Sequence, residues 1–203
     1  MGDEEGPGAP SPADALRPFL VVGAMVAAMW AVEIVDLLPG TDLDRWGIQP
    51  RTARGLVGVA TAPFLHAGFG HLLGNTIPFL LMGCVIAASG VQRFVQVTVI
   101  VAVVAALGTW LVGPAHTVHI GASGLVFGYL GYLVARGVIA RHLGMLIVGA
   151  LVLVVYGGIL WGLLPAPGIS WQGHLFGLLG GVLAAWVIHA RPAAGGDPAA
   201  PTG

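Results

Sequence analysis

The chain is short of charge. Of its 203 residues, 8% are charged and 57% are apolar, where soluble domains carry about 25% charged residues. Eight basic and nine acidic side chains cannot clothe a globule of this size, and the mean hydropathy of +0.91 agrees. A soluble globular protein is excluded, and a polytopic membrane protein is expected. The net charge of −1 leaves no basic face for nucleic acid. Lysine is absent, so every basic side chain is arginine. The single cysteine, Cys84, excludes an intramolecular disulfide and a thiolate zinc cluster. Carboxylates are absent from Arg45 to Gly196. That absence excludes the paired Asp residues of an aspartyl intramembrane protease and the H-E-x-x-H helix of a zinc protease. It also removes the acid of a Ser-His-Asp triad. No metal and no cofactor is expected. Strand-type alternation is lacking too, which excludes a barrel.

What is present is a series of six apolar segments, at 19–38, 71–89, 94–112, 123–140, 143–164 and 171–189. Each is close to the roughly 20 residues that cross a bilayer. The expected fold is an all-α membrane protein, a six-helix domain over residues 17–191. Residues 1–16 and 192–203, rich in Pro, Gly and Ala, read as disordered cytoplasmic tails. Between the first two segments lies a long connection, 39–70, whose Trp46 and mixed charges suit the headgroup layer. With a cytoplasmic N-terminus, Arg17, Arg93, Arg136, Arg141 and Arg191 all fall inside, and only Arg45, Arg51 and Arg54 fall outside. The positive-inside rule favours that topology, with both termini cytoplasmic.

Polar residues inside a bilayer are functional candidates. His71, Asn75, Ser123 and His174 sit at or near the outer ends of the second, fourth and sixth segments. Counting from Asn75, Ser123 and His174 to Arg93, Arg141 and Arg191 places all three about 25–27 Å above the inner boundary. Gly124, Gly128, Gly131 and Ala135 form a small-residue stripe, and Gly177 and Gly181 follow His174 on its own helix face. Such stripes let two backbones approach, which would bring Ser123 within reach of His174. A serine and a histidine at one depth suggest nucleophilic catalysis by a dyad. His71 and Asn75, four apart, share a helix face and could bind an oxyanion together with the Ser123 backbone N–H. Gly121 and Gly124 permit a sharp turn and close approach of a substrate backbone.

These residues carry a resemblance. Gly121-Ala122-Ser123-Gly124 matches the G-x-S-G motif of the rhomboid intramembrane serine proteases. Gly173-His174-x-x-Gly177-x-x-x-Gly181 matches their last-helix motif, and His66-x₄-His71-x₃-Asn75 their second-helix motif. The similarity extends through Gly47-Ile48-Gln49-Pro50-Arg51 and Ala62-Pro63-Phe64-Leu65, and covers roughly residues 47–181. It implies a six-transmembrane-helix rhomboid-like bundle with a membrane-embedded first loop, of the minimal bacterial type in the plasma membrane. It implies Ser123 as nucleophile, His174 as general base, and His71, Asn75 and the Ser123 N–H as oxyanion donors. Phe127 falls where the family has an aromatic ring under the histidine. Residues 165–168 and the outer end of the fifth helix would form a lateral gate for transmembrane protein substrates in the lipid bilayer. The family's Trp-Arg pair is not matched, since the order here is Arg45-Trp46.

Other residues have plainer readings. His66 is expected to support the first loop by hydrogen bonding, and His116 and His119 to be loop polar groups. His142 and His189 are expected to face headgroups, and Glu33 and Asp36 to sit at the interface. Cys84 reads as a small core residue. Neither Ser89 nor Ser170 is expected to occupy a site equivalent to that of Ser123. Two other functions compete with the protease. A rhomboid-like pseudoprotease that binds or escorts membrane proteins would have lost Ser123 or His174, and both are present. A transporter of this size would show internal repeats or paired broken helices, and none is found.

Overall fold

The computed structural model describes residues 12–190. The expected tails therefore lie mostly outside the described residues, as does Arg191. Helix α1 begins at Pro12 and runs to Asp36, so it takes in the last residues of the expected N-terminal tail. It is followed by the one-turn α2 (Gly58–Thr61), then α3 (Phe69–Ala87), α4 (Val91–Val112), α5 (Ser123–Ile139), α6 (Leu143–Tyr156) and α7 (Trp171–His189). Among the described residues there is no strand, only an isolated antiparallel bridge between Ile48 and His119.

Among the described residues, five stretches are long and apolar enough to cross a membrane: Ala13–Asp36, Phe69–Ala87, Val91–Val112, Leu143–Leu163 and Trp171–His189. The segment expected at 123–140 forms a shorter apolar helix, Ser123–Ile139. The segment expected as one helix at 143–164 changes geometry at Tyr156 and continues as a 3₁₀ stretch, Gly157–Leu163. The adjacent Gly157-Gly158 pair weakens the helix there. Apolar side chains cover the outside, as on Leu20, Leu143, Val154 and Trp161. Lipid is the solvent that such a surface fits, and the chain is an integral membrane protein.

The centre of the bundle is α5. Ten of its residues are buried, among them Phe127, Tyr129, Tyr132 and Leu133. It packs between α7, α6, α4 and α3. The glycine stripe explains the closest of these contacts. A Cβ on Gly177 would collide with the Gly124 carbonyl, and one on Gly181 with the Gly128 carbonyl. With no side chain between them, α5 and α7 lie backbone to backbone, running in the same direction. By contrast, α6 buries only Gly149, against the α5 backbone at Leu133 and Val134.

The long first connection is pinned to the loop before α5. Ile48 and His119 exchange both backbone hydrogen bonds at 2.9 Å, and the Gly121 N–H donates to the Ala62 carbonyl at 2.9 Å. The Arg51 guanidinium donates to the carbonyls of Leu111 (3.0 Å) and Gly113 (2.8 Å), at the end of α4. The guanidiniums of Arg45 (5.7 Å) and Arg54 (4.7 Å) both lie over the Trp46 ring, so Arg45-Trp46 contributes a cation–π contact within the loop itself. Glu33, near the end of α1, is covered by neighbouring side chains at 3% exposure.

Candidate active site

Ser123 is the first residue of α5, and His174 lies in the first turn of α7. The parallel packing of these helices brings the two together, with Ser123 Oγ 2.8 Å from His174 Nε2. The other ring nitrogen, Nδ1, is 2.7 Å from the Gly162 carbonyl oxygen. A carbonyl can only accept, so Nδ1 carries the proton. Nε2 is then bare and accepts from the Ser123 hydroxyl. This is the proton arrangement that a general base requires before it activates a nucleophile.

The imidazole is fixed on its face as well as its edge. Phe127, one turn after Ser123, stacks on His174 with centroids 4.2 Å apart and planes 7° from parallel. Gly162 makes the closure possible, since a Cβ there would lie 3.0 Å from both His174 Nδ1 and Phe127 Cζ. Sequence reasoning did not single out Gly162. A glycine inside an apolar run was the signal, but nothing in the local pattern tells that its carbonyl turns inward.

The second-helix residues face the same place. The His71 Nδ1 accepts from the Ala67 N–H at 3.3 Å, which leaves the proton on Nε2. That Nε2 lies against Gly121, where a Cβ would come within 2.8 Å of it and 3.8 Å of Asn75 Nδ2. Gly121 also has φ +112°, a left-handed value that favours glycine. Asn75 donates one amide hydrogen to the His71 carbonyl at 3.0 Å and keeps a second. The Ser123 N–H lies in the first helical turn, where no intrahelical acceptor exists. His71, Asn75, Ser123, Phe127, Gly162 and His174 line one cleft of about 1030 Å³.

His66, expected to support the first loop by hydrogen bonding, ties that loop to the loop before α5. It accepts from the Ala122 N–H at 3.3 Å, and its ring meets His71 edge-on at 5.1 Å. Burial, with a smaller contribution from His71, pushes its pKa down to about 4. Two histidines read as peripheral are also engaged. His189 pairs with the Tyr132 hydroxyl at 3.0 Å, at the end of α7 far from the cleft. His119 is buried, and burial lowers its pKa. Its Nδ1 lies 2.7 Å from Ser170 Oγ. Ser170 is thus a second serine with a histidine partner, which the sequence did not reveal because both lie in loops, where no helix register relates them.

Comparison with known proteins follows the same outline. The Rhomboid domain model matches residues 53–191. An uncharacterized protein of Mycobacterium tuberculosis is 43% identical over 198 residues, covering 91% of this chain and 82% of that protein. An uncharacterized protein of Mycobacterium leprae is 42% identical over 174 residues, covering 81% and 69%. A Bacillus subtilis protein named "Putative rhomboid protease YdcA" is 33% identical over 129 residues, covering 61% and 62%.

Proposed function

The chain belongs to the rhomboid family, and from that premise we propose that it is an intramembrane serine endopeptidase. The observation that carries this reading is the proton arrangement at His174, with Nδ1–H held by the Gly162 carbonyl and bare Nε2 against the Ser123 hydroxyl at 2.8 Å. In this reading Ser123 Oγ attacks the scissile carbonyl carbon of a transmembrane substrate, and its proton passes to His174 Nε2. The oxyanion that forms is bound by His71 Nε2–H, the spare amide hydrogen of Asn75 and the Ser123 N–H. His174 then gives its proton to the leaving amine, which departs as the C–N bond breaks. Water, deprotonated by His174, hydrolyses the acyl-enzyme and restores Ser123. Without a carboxylate, the Gly162 carbonyl holds the tautomer that an Asp would otherwise hold.

The same reading assigns six membrane crossings, with α5 as the short central one and both termini cytoplasmic. The arginine distribution supports this orientation, in which the cleft lies near the outer face. The reading includes a preference for small residues near the cut, which hinder the approach to Ser123 least. The test is incubation of the purified protein with a model transmembrane substrate. Endoproteolysis by the wild type, absent in Ser123→Ala, is expected. Stable substrate binding without cleavage by the wild type would instead assign the pseudoprotease function.

A further inference from the structure

We propose that His119 and Ser170 form a positioning clamp that holds the Ser123–His174 pair at reacting distance, a role that rests on the protease reading above. His119 lies four residues before Ser123, and Ser170 four residues before His174. The two pairs are therefore parallel rungs between the same two chain segments, each bridging 51 residues, at 2.7 Å and 2.8 Å. The residue types are exchanged between the rungs, so the clamp repeats the dyad's chemistry in reverse order.

The direction of the clamp follows from its neighbours. The Thr117 hydroxyl donates to the Pro114 carbonyl at 2.7 Å. Its oxygen must then accept at the 2.9 Å contact with His119 Nε2, which places the ring proton there. His119 Nδ1 is bare and accepts from the Ser170 hydroxyl. The backbone of each clamp residue is held as well. His119 is locked to Ile48 through both its N–H and its carbonyl. The Ser170 carbonyl accepts from the His174 N–H at 3.1 Å, in the turn that presents the imidazole. A Cβ on Gly173 would lie 3.0 Å from Ser170 Oγ, so the start of α7 closes directly onto the clamp.

The consequence is mechanical. The glycine contacts fix α5 against α7 from Gly124 and Gly177 inward. The loop before each helix, on the cleft side, is not fixed by them, and the clamp joins these loops where both His119 and Ser170 line the cleft. Without it the loop before α7, whose Ser170 carbonyl accepts from the His174 N–H, loses its tie to the loop before α5, and a displacement of about 1 Å at a reacting pair costs on the order of 10²-fold in rate.

The experiment uses the full chain in nanodiscs, with a model transmembrane substrate for kinetics and a fluorophosphonate probe for labelling. Wild type, Ser123→Ala, Ser170→Ala, Ser170→Thr, His119→Ala and the His119→Ala/Ser170→Ala double variant are compared. The expected result is a loss of kcat of about 10-fold or more in each single variant, with KM unchanged. The double variant should be no worse than either single, and Ser170→Thr should retain most of the activity because it keeps the hydroxyl. Thermal midpoints should not follow the losses in kcat. Wild-type kcat in Ser170→Ala, additive losses in the double variant, a loss confined to KM, or probe attached at Ser170 would each overturn the clamp. Labelling of wild type at Ser123 with no change in Ser170→Ala removes the clamp alone. Failure of the wild type to cleave or to be labelled removes the protease reading and the clamp with it.

Discussion

At Ser123 and His174 the hydrogen bonds leave one arrangement of protons, and under the proposed protease reading neither residue works without the other. Ser123→Ala, His174→Ala and the double variant should all show no detectable cleavage of a transmembrane substrate, because groups that act as a unit are non-additive. In the proposed mechanism His71→Ala and Asn75→Ala each remove one of three oxyanion donors. A loss on the order of 10²–10³ in kcat is expected, with measurable residual activity. Phe127→Ala should lower kcat by loosening the imidazole, while Phe127→Tyr should be tolerated because the stacked ring is kept. His66 carries a different, pH-dependent prediction. Its pKa is held near 4 in the fold and returns to about 6.5 in the unfolded chain. Between those values the unfolded state binds a proton that the folded state refuses, so stability rises with pH through this window and is fully present above it. Acidification from pH 7 to 4 should therefore lower the unfolding free energy, by roughly 3 kcal/mol at the limit from this group. In His66→Gln that part of the slope should vanish in denaturant titrations run at several pH values. An unchanged slope would mean that the Ala122 contact does not depend on a neutral ring.

On the scale of the helices, the small-residue stripes were legible and the breaks were not. The i, i+4 spacing of Gly124, Gly128, Gly177 and Gly181 states a packing face directly, and the backbone contacts between α5 and α7 fall on it. The conversion of the fifth segment to 3₁₀ geometry falls at the Gly157-Gly158 pair, a signal masked by the apolar run on either side of it. Masked in the same way was the inward turn of Gly162, whose carbonyl does work that no side-chain pattern records. His119 and Ser170 were hidden for another reason, because their pairing depends on how two distant loops are folded together. The glycines also yield a graded prediction. A Cβ on Gly177 meets backbone, which cannot swing away, so Gly177→Ala should destabilise by about 1–3 kcal/mol and open the dyad. Gly124→Ala meets only the Ala105 methyl at 3.3 Å and the Gly173 carbonyl at 3.4 Å, and should cost far less. Gly23, in α1, has nothing within 4 Å of its Cβ position, so Gly23→Ala should stabilise by roughly 0.5–1 kcal/mol through helix propensity. Thermal unfolding in detergent should rank the three in that order. Equal midpoints for Gly177→Ala and Gly124→Ala would show that the α5–α7 interface can relax.

For the whole molecule, the decisive quantity is whether α5 crosses the bilayer. Its 17 residues span about 26 Å, against a hydrocarbon core of about 30 Å. Two observations argue that it crosses nonetheless. It runs parallel to α7, with Ser123 beside His174 at one end and Tyr132 bonded to His189 towards the other. It is also enclosed by its neighbours, so its ends need not reach the headgroups on their own. A short enclosed helix that starts below the surface would hold Ser123 a few ångströms under the outer boundary, with the cleft as its route to water. Six crossings put both termini on one side, whereas five put them on opposite sides. Reporter fusions at Ala13 and Gly195, the second lying outside the described residues, should therefore both report the cytoplasm. A third fusion in the loop between α4 and α5, at Pro114, should report the opposite side. Opposite readings at the two ends would mean that α5 does not cross, and Ser123 would then have no fixed depth from which to meet a substrate helix.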